Sequence, residues 1–166
     1  MSTDAIVLLR EDHQQMKRLF REFEEAGENA YATKQKLADD IIELLTVHTY
    51  LENECMYPRT REMVPAVESE ILESYEEHHV ADVLCMELAG MSADNDRFVP
   101  KMTVLIESVR HHIKEEEESW FPTVRETLGR KALQEVGEEM LRLRPNAPRR
   151  PSQPSALKKA LDAVLS

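Results

Sequence analysis

Apolar residues recur at intervals of three and four along most of the chain, the spacing of amphipathic helices, and no stretch shows the alternation of strands. Ile6, Leu9, His13, Met16, Phe20 and Phe23 line a first helix, expected to start at Ser2 or Thr3, good N-cap residues, and to stop near Gly27. Leu37, Ile41, Leu44, His48, Leu51 and Cys55 line a second, predicted over 33–57 and ended by Pro58. A third seam, Ile71, Tyr75, His78, Asp82, Cys85 and Ala89, is less regular and belongs to a helix over 66–90. Phe98, Met102, Leu105, Val109, His112 and Glu116 predict a fourth over 97–120. Pro100 fits its first turn, and Pro122 is expected to end or bend it. Four helices of similar length, each with one apolar seam, predict an all-α, up-down-up-down four-helix bundle.

Each seam carries one histidine near its middle, and the two halves of the chain repeat. His48-x3-Glu52-x5-Pro58 matches His112-x3-Glu116-x5-Pro122, with Tyr57 or Phe121 just before the proline. His13 precedes His48 by 35 residues and His78 precedes His112 by 34, so one helix pair is written twice. A histidine and a glutamate four apart share a helical face, about 6 Å apart in rise. His13, His48, Glu52, His78, His112 and Glu116 would therefore meet at mid-height of the bundle, where unpartnered polar groups are costly to bury. Two divalent metals, bridged by the carboxylates and by hydroxide or oxide and taking two histidines each, would satisfy them. The nitrogen and oxygen donors suit iron, with manganese or zinc as other occupants. Hydrogen-bonded His–Glu pairs without metal are the alternative.

Other residues take ordinary roles at this stage. Glu115, Glu117 and Glu118 read as a solvated face, and His79 and His111 point about 100° away from the seam. Beyond the ligands, the only candidate acid or base is Tyr75, one turn before His78. Cys55 and Cys85 each follow a seam histidine by seven residues and read as core thiols on opposite sides of the metal plane, about 20 Å apart.

Composition narrows the function. The 166 residues suffice for one core, and 42% hydrophobic with 32% charged residues is a soluble composition. A net charge of −11 opposes phosphate backbones and anionic lipid, so neither nucleic acid nor membrane is an expected partner. The apolar runs are too short for a span or a secretory signal, which gives a cytoplasmic expectation. Two cysteines without a Cys-x-x-Cys spacing exclude a disulfide framework. After Leu143 the character changes: Pro145, Pro148, Pro151 and Pro154 predict an extended linker, followed by a short amphipathic helix carrying Leu157, Leu161, Val164 and Leu165. Residues 144–166 hold five basic groups and one acid, against 16 and 31 before them. The expected organisation is a bundle over 1–128, an accessory helix within 129–144, and a basic tail over 145–166 that packs on the acidic bundle or on a protein partner.

His13, His48-x3-Glu52, His78 and His112-x3-Glu116 resemble the hemerythrin-like, HHE cation-binding family over about residues 3–125. The resemblance implies a non-haem di-iron site with Glu52 and Glu116 as bridges, His13 and His48 on one iron, and His78 and His112 on the other. Oxygen-carrying hemerythrins have a further histidine where Asp82 stands, and Asp at plus five where Glu116 stands at plus four; the present pattern is similar to the bacterial and regulatory branch. A missing ligand leaves an open position. The expected function is to bind or react with dioxygen, peroxide or nitric oxide, including catalase-like peroxide turnover. The alternative is a non-enzymatic iron, oxygen or redox sensor, or an iron-handling module, acting through a partner. Asp82 stands as either a weak extra ligand or a solvated carboxylate.

Overall fold

The computed structural model describes residues 3–151, and every regular element among them is helical. Helix α1 spans Ala5–Glu25. It starts at neither Ser2 nor Thr3, because Asp4 is the cap: its Oδ1 accepts the Val7 N–H at 3.1 Å, satisfying one of the free donors of the first turn. It ends two residues ahead of Gly27. Helix α2 spans Tyr31–Leu51 and does not stop at Tyr57. Over Glu52–Met56 it widens into a π turn, in which the Tyr57 N–H donates to the Glu52 carbonyl, and it resumes as α3, Tyr57–Met63. Pro58 lies in the first turn of α3, where its missing N–H costs little, and the wide turn makes room for its ring.

A short turn at Pro65–Val67 leads to α4, Glu68–Ala89. Helix α5, Phe98–Glu115, then repeats the device: a π turn over Glu116–Trp120 passes Pro122 and resumes as α6, Phe121–Leu143. The break expected at Pro122 comes instead at Gly129, whose φ of 74° is accessible chiefly to glycine. The accessory helix expected within 129–144 corresponds to the part of α6 beyond that break, which ends at Leu143.

Helix α1 packs on α2 and α6, α4 on α5 and α2. Two apolar clusters result, one holding Leu9, Leu51, Tyr57 and Trp120, the other Met16, Phe20, Ile41 and Phe98. Each fully buried large side chain among them contributes about 1.5–3 kcal/mol relative to exposure. Two seams differ from expectation. In α4 the buried line is Ile71, Ser74, His78, Ala81, Cys85 and Leu88, displacing Tyr75, Asp82 and Ala89 to partly or fully exposed positions. In α2 Leu45 is buried and Leu44 only half-buried.

Beyond Gly129 the chain lies along α1. Leu133, Val136 and Met140 join the first cluster and Arg144 bonds Asp12 at 2.7 and 3.2 Å, while Arg125, just before the break, bonds Asp4 at 2.9 and 3.0 Å. The proline-spaced segment does not begin extended. Arg144–Asn146 form a 3-10 turn, Ala147 is buried behind it, and Arg149 pairs with Glu43 at 2.8 Å. Pro154 and the amphipathic helix carrying Leu157, Leu161, Val164 and Leu165 lie outside the described residues. No helix among the described residues is long and apolar enough to cross a membrane.

Cys55 sits in the first cluster and Cys85 in the second, both free and buried. Burial pushes the Cys55 thiol up to about 11 and that of Cys85 further still. At pH 8 the thiolate is scarce and covered, so the native protein is expected to leave a chromogenic disulfide reagent uncoloured while the denatured chain releases two equivalents. Rapid reaction of the native chain would contradict this packing.

Candidate metal centre

Six buried side chains from four helical rods meet between the two apolar clusters. His13 comes from α1, His48 and Glu52 from the end of α2, His78 from α4, and His112 and Glu116 from the end of α5. None is more than 6% exposed. The structure thus brings all six residues singled out in the sequence to one place. Glu52, His78, His112 and Glu116 form one set of donors within 4.8 Å of one another, and His13, His48 and Glu116 form a second. The carboxylates lie between the histidine pairs. Glu116 turns Oε2 to His13 at 3.2 Å and Oε1 to His112 at 3.1 Å, while Glu52 Oε1 is 2.8 Å from His48 and 3.4 Å from His78.

All four imidazoles are held from behind, in a pattern that follows the repeat. Residues just ahead of the helix-one-type histidines face across the bundle: Asp12 takes His48 Nδ1 at 3.0 Å and Glu77 takes His112 Nδ1 at 3.0 Å. Residues just after the glutamates do the same: Glu117 takes His13 Nδ1 at 2.9 Å and Asn53 takes His78 Nδ1 at 2.8 Å. Each Nδ1 therefore donates to its outer acceptor, which leaves each Nε2 as the ring nitrogen turned to the centre, the one that can ligate a cation on giving up any proton it holds. Outer partners of this kind fix tautomer and ring direction in metal sites.

With the protons directed outward, the interior is short of donors. His13 Nε2, His48 Nε2, both Glu52 oxygens and Glu116 Oε2 are buried without a hydrogen-bond partner. Leaving five such atoms unsatisfied would cost several kcal/mol, at about 1–3 each. Electrostatics point the same way. Burial would lower the His48 pKa, but Glu52 and Asp12 outweigh it and hold it at about 10; Glu116 and Glu77 likewise hold His112 well above its ordinary value. Glu52, despite burial, is drawn well below the carboxylate range by His48 and His78. Positive charge is favoured among these donors, and the donor set fits divalent cations at the points the free lone pairs face.

Two residues of the centre were not expected from the sequence. Tyr57 is fully buried, and its hydroxyl donates to Glu116 and lies 3.1 Å from His78 Nε2 and 3.3 Å from His112 Nε2. Burial, with Glu116 and Glu52 beside it, raises the phenol well above its ordinary value, so it keeps its proton. In the other half Phe121 takes the equivalent place, stacked on His13 at 6.1 Å. The phenol at the centre is thus Tyr57 and not Tyr75, which meets Tyr57 edge-on from the partly exposed side. The second correction is Glu117. Only 17% exposed, it anchors His13 and is no solvated carboxylate, although Glu118 is exposed. Asp82 lies outside both donor sets, because the seam of α4 passes through Ala81. His79 and His111 also stay outside them.

Known proteins agree with this architecture. A hemerythrin HHE cation-binding domain-containing protein from Mycobacterium kansasii shares the fold, with a TM-score of 0.70, 23% identity and 86% of each chain covered. A curated protein of Nostoc sp. described as a DNA nickase is 25% identical over 132 residues, which is 80% of this chain and 36% of that one. The present chain therefore spans about a third of that relative's length. The family model of the hemerythrin HHE cation-binding domain matches residues 4–124, from the cap of α1 to the far side of the second π turn, and the chain belongs to that family.

Proposed function

We propose that the chain is a non-haem di-iron protein whose centre binds or reacts with dioxygen, peroxide or nitric oxide. The observation that supports it most is the set of five unsatisfied buried donor atoms facing one another, with every histidine already held from behind. In this reading His13, His48 and Glu116 would hold one iron, and His78, His112, Glu52 and Glu116 the other; Glu52, expected from the resemblance to be a second bridge, belongs to one donor set only. Iron bound there supplies the redox chemistry and the site for a small ligand.

The chain's own residues do the rest. The two apolar clusters exclude water and larger molecules. Beside His48, His78 and His112 lies a cavity of ≈ 10 Å³, walled by Met16, Ala81, Val109 and Ile113. It has room for about one water-sized molecule, which leaves no space for a metabolite beside these donors. Tyr57 holds a proton at its hydroxyl against Glu116 and can present it to a ligand at the His78–His112 half. Nucleic acid is not a partner in this reading: donors no more than 6% exposed are out of reach of a phosphodiester, and the surface charge opposes it.

Anaerobic loading with ferrous iron and elemental analysis test the proposal, with about two irons per chain as the expected result. Mixing with peroxide then divides turnover from sensing: steady oxygen evolution marks turnover, and bleaching with loss of iron marks a sensor or iron-handling module. Tyr57→Phe gives the second half the same kind of ring that Phe121 supplies in the first, and is expected to keep both irons while slowing the peroxide reaction about a hundredfold, the low end of proton-transfer effects. A chain that takes up no iron under these conditions refutes the reading.

A further inference from the structure

The two halves of the centre are anchored unequally. Asp12, which takes the His48 Nδ1 proton, is itself clamped by both terminal nitrogens of Arg144, and its Oδ2 receives His48 and Arg144 together. Glu77, which does the same for His112, meets no lysine or arginine among the described residues. A two-pronged guanidinium contact fixes the plane of a carboxylate, and that carboxylate in turn fixes the imidazole.

Arg144 does not belong to the four rods. It sits at the end of α6, 15 residues past the break at Gly129, on a segment seated along α1. Leu133, Val136 and Met140 bury their side chains there, Gly137 meets the Thr3 backbone with no space for a Cβ, and Ala147 closes the turn behind Arg144. The seat is thus a built interface, and it ends on the carboxylate behind His48.

We propose that Arg144 is a positioning residue for the His13–His48 half: by clamping Asp12 it fixes His48, and it makes metal retention in that half, and not in the other, depend on the docking of the chain beyond Gly129. This rests on the metal-binding reading given above. Undocking would leave Asp12 free to turn and His48 free to swing its Nε2 away from Glu52, while Glu77, Asn53 and Tyr57 would still hold the opposite half. A partner that grasps the segment beyond Gly129 would thereby gain control of one metal position without touching it.

The test uses the full-length chain loaded anaerobically with ferrous iron and challenged with a chelator. Wild type is expected to release its irons slowly. Arg144→Gln should release one of the two roughly ten- to hundredfold faster, the range that outer partners carry, and the other at the wild-type rate. Arg144→Lys, which keeps a cation against Asp12, should recover most of the retention. Arg149→Gln, on the same segment but paired with Glu43, should match wild type. In the metal-free protein, long-range nitrogen spectra should show the His48 Nδ1–H signal disturbed by Arg144→Gln and that of His112 unmoved. Two irons released at wild-type rates, two accelerated by one common factor alongside a lowered Tm, or an undisturbed His48 signal would each overturn the proposal. If wild type takes up no iron, the metal reading fails, and the metal-free His48 signal still decides whether Arg144 positions that ring.

Discussion

Glu116→Gln is expected to strip metal from both halves of the centre at once. Glu116 alone belongs to both donor sets, offering one oxygen to His13 and the other to His112. The amide has nearly the same shape and still accepts the Tyr57 hydroxyl, but it lacks the charge and replaces one lone-pair donor by an NH2 group. The expected loss of affinity exceeds about 100-fold, beyond what outer partners carry and equivalent to about 2.8 kcal/mol. Elemental analysis after dialysis reads it directly. Thermal unfolding gives a second readout. Metal added to wild type should raise Tm, because it binds the folded chain, and that rise should vanish in the variant. Without metal the variant should itself unfold somewhat earlier than wild type, since the carboxylate that faces the buried His112 ring has been removed. Unchanged metal content would remove Glu116 from the ligand set.

The second large effect concerns stability. A Cβ added to Gly137 would stand 1.5 Å from the Thr3 carbonyl oxygen and 2.6 Å from its carbon. These are backbone atoms, so no side chain can swing aside. Alanine is the better helix former by about 1 kcal/mol, yet the two chains must separate, and the Arg125–Asp4 pair beside the contact must open. Gly137→Ala is therefore expected to cost about 3 kcal/mol, the upper part of the range for overpacking, and to lower Tm by roughly 6–12 °C. Gly129→Ala is the useful contrast: nothing lies within 4 Å of its Cβ, and only the backbone conformation at φ 74° and ψ 175°, worth about 1–3 kcal/mol, opposes it. A Gly137→Ala protein as stable as wild type would show that the segment beyond Gly129 is not seated on α1 as described.

Most of the fold and the six central side chains were legible because they follow the helical period up to the π turns. His13, His48, His78 and His112 each fall on a three-and-four seam, and Glu52 and Glu116 stand one turn further on the same face. Much of what was illegible lies at or after the two wide turns. In an unbroken α-helix Tyr57, nine residues past His48, would point about 180° away; one extra residue in the turn brings it round to about 80°. The same slip carries Asn53 and Glu117 behind the histidines. A proline in mid-helix is the available signal, since its ring demands just such a widening, but by itself it points equally to a helix end, as expected at Pro58, or to an end or a bend, as expected at Pro122. In α4 the apolar pattern is thin, and Ser74 and Ala81 are too small and too weakly apolar to announce themselves beside Tyr75 and Asp82. The capping role of Asp4 was masked by two equally good candidates just before it.

The arginine clamps join residues far apart along the chain: Arg125 to Asp4 across 121 positions, and Arg144 to Asp12 across 132. On a translating ribosome, at about 5–20 residues per second, Arg144 is added roughly 7–26 s after His13. Through that interval the earliest part of the nascent polypeptide lacks its final cover, and the lock on His48 is the last part of the centre to be set. A released chain ending at Leu143, which carries all six central side chains but not the lock, is therefore expected to load faster, and to leak faster, than the finished molecule.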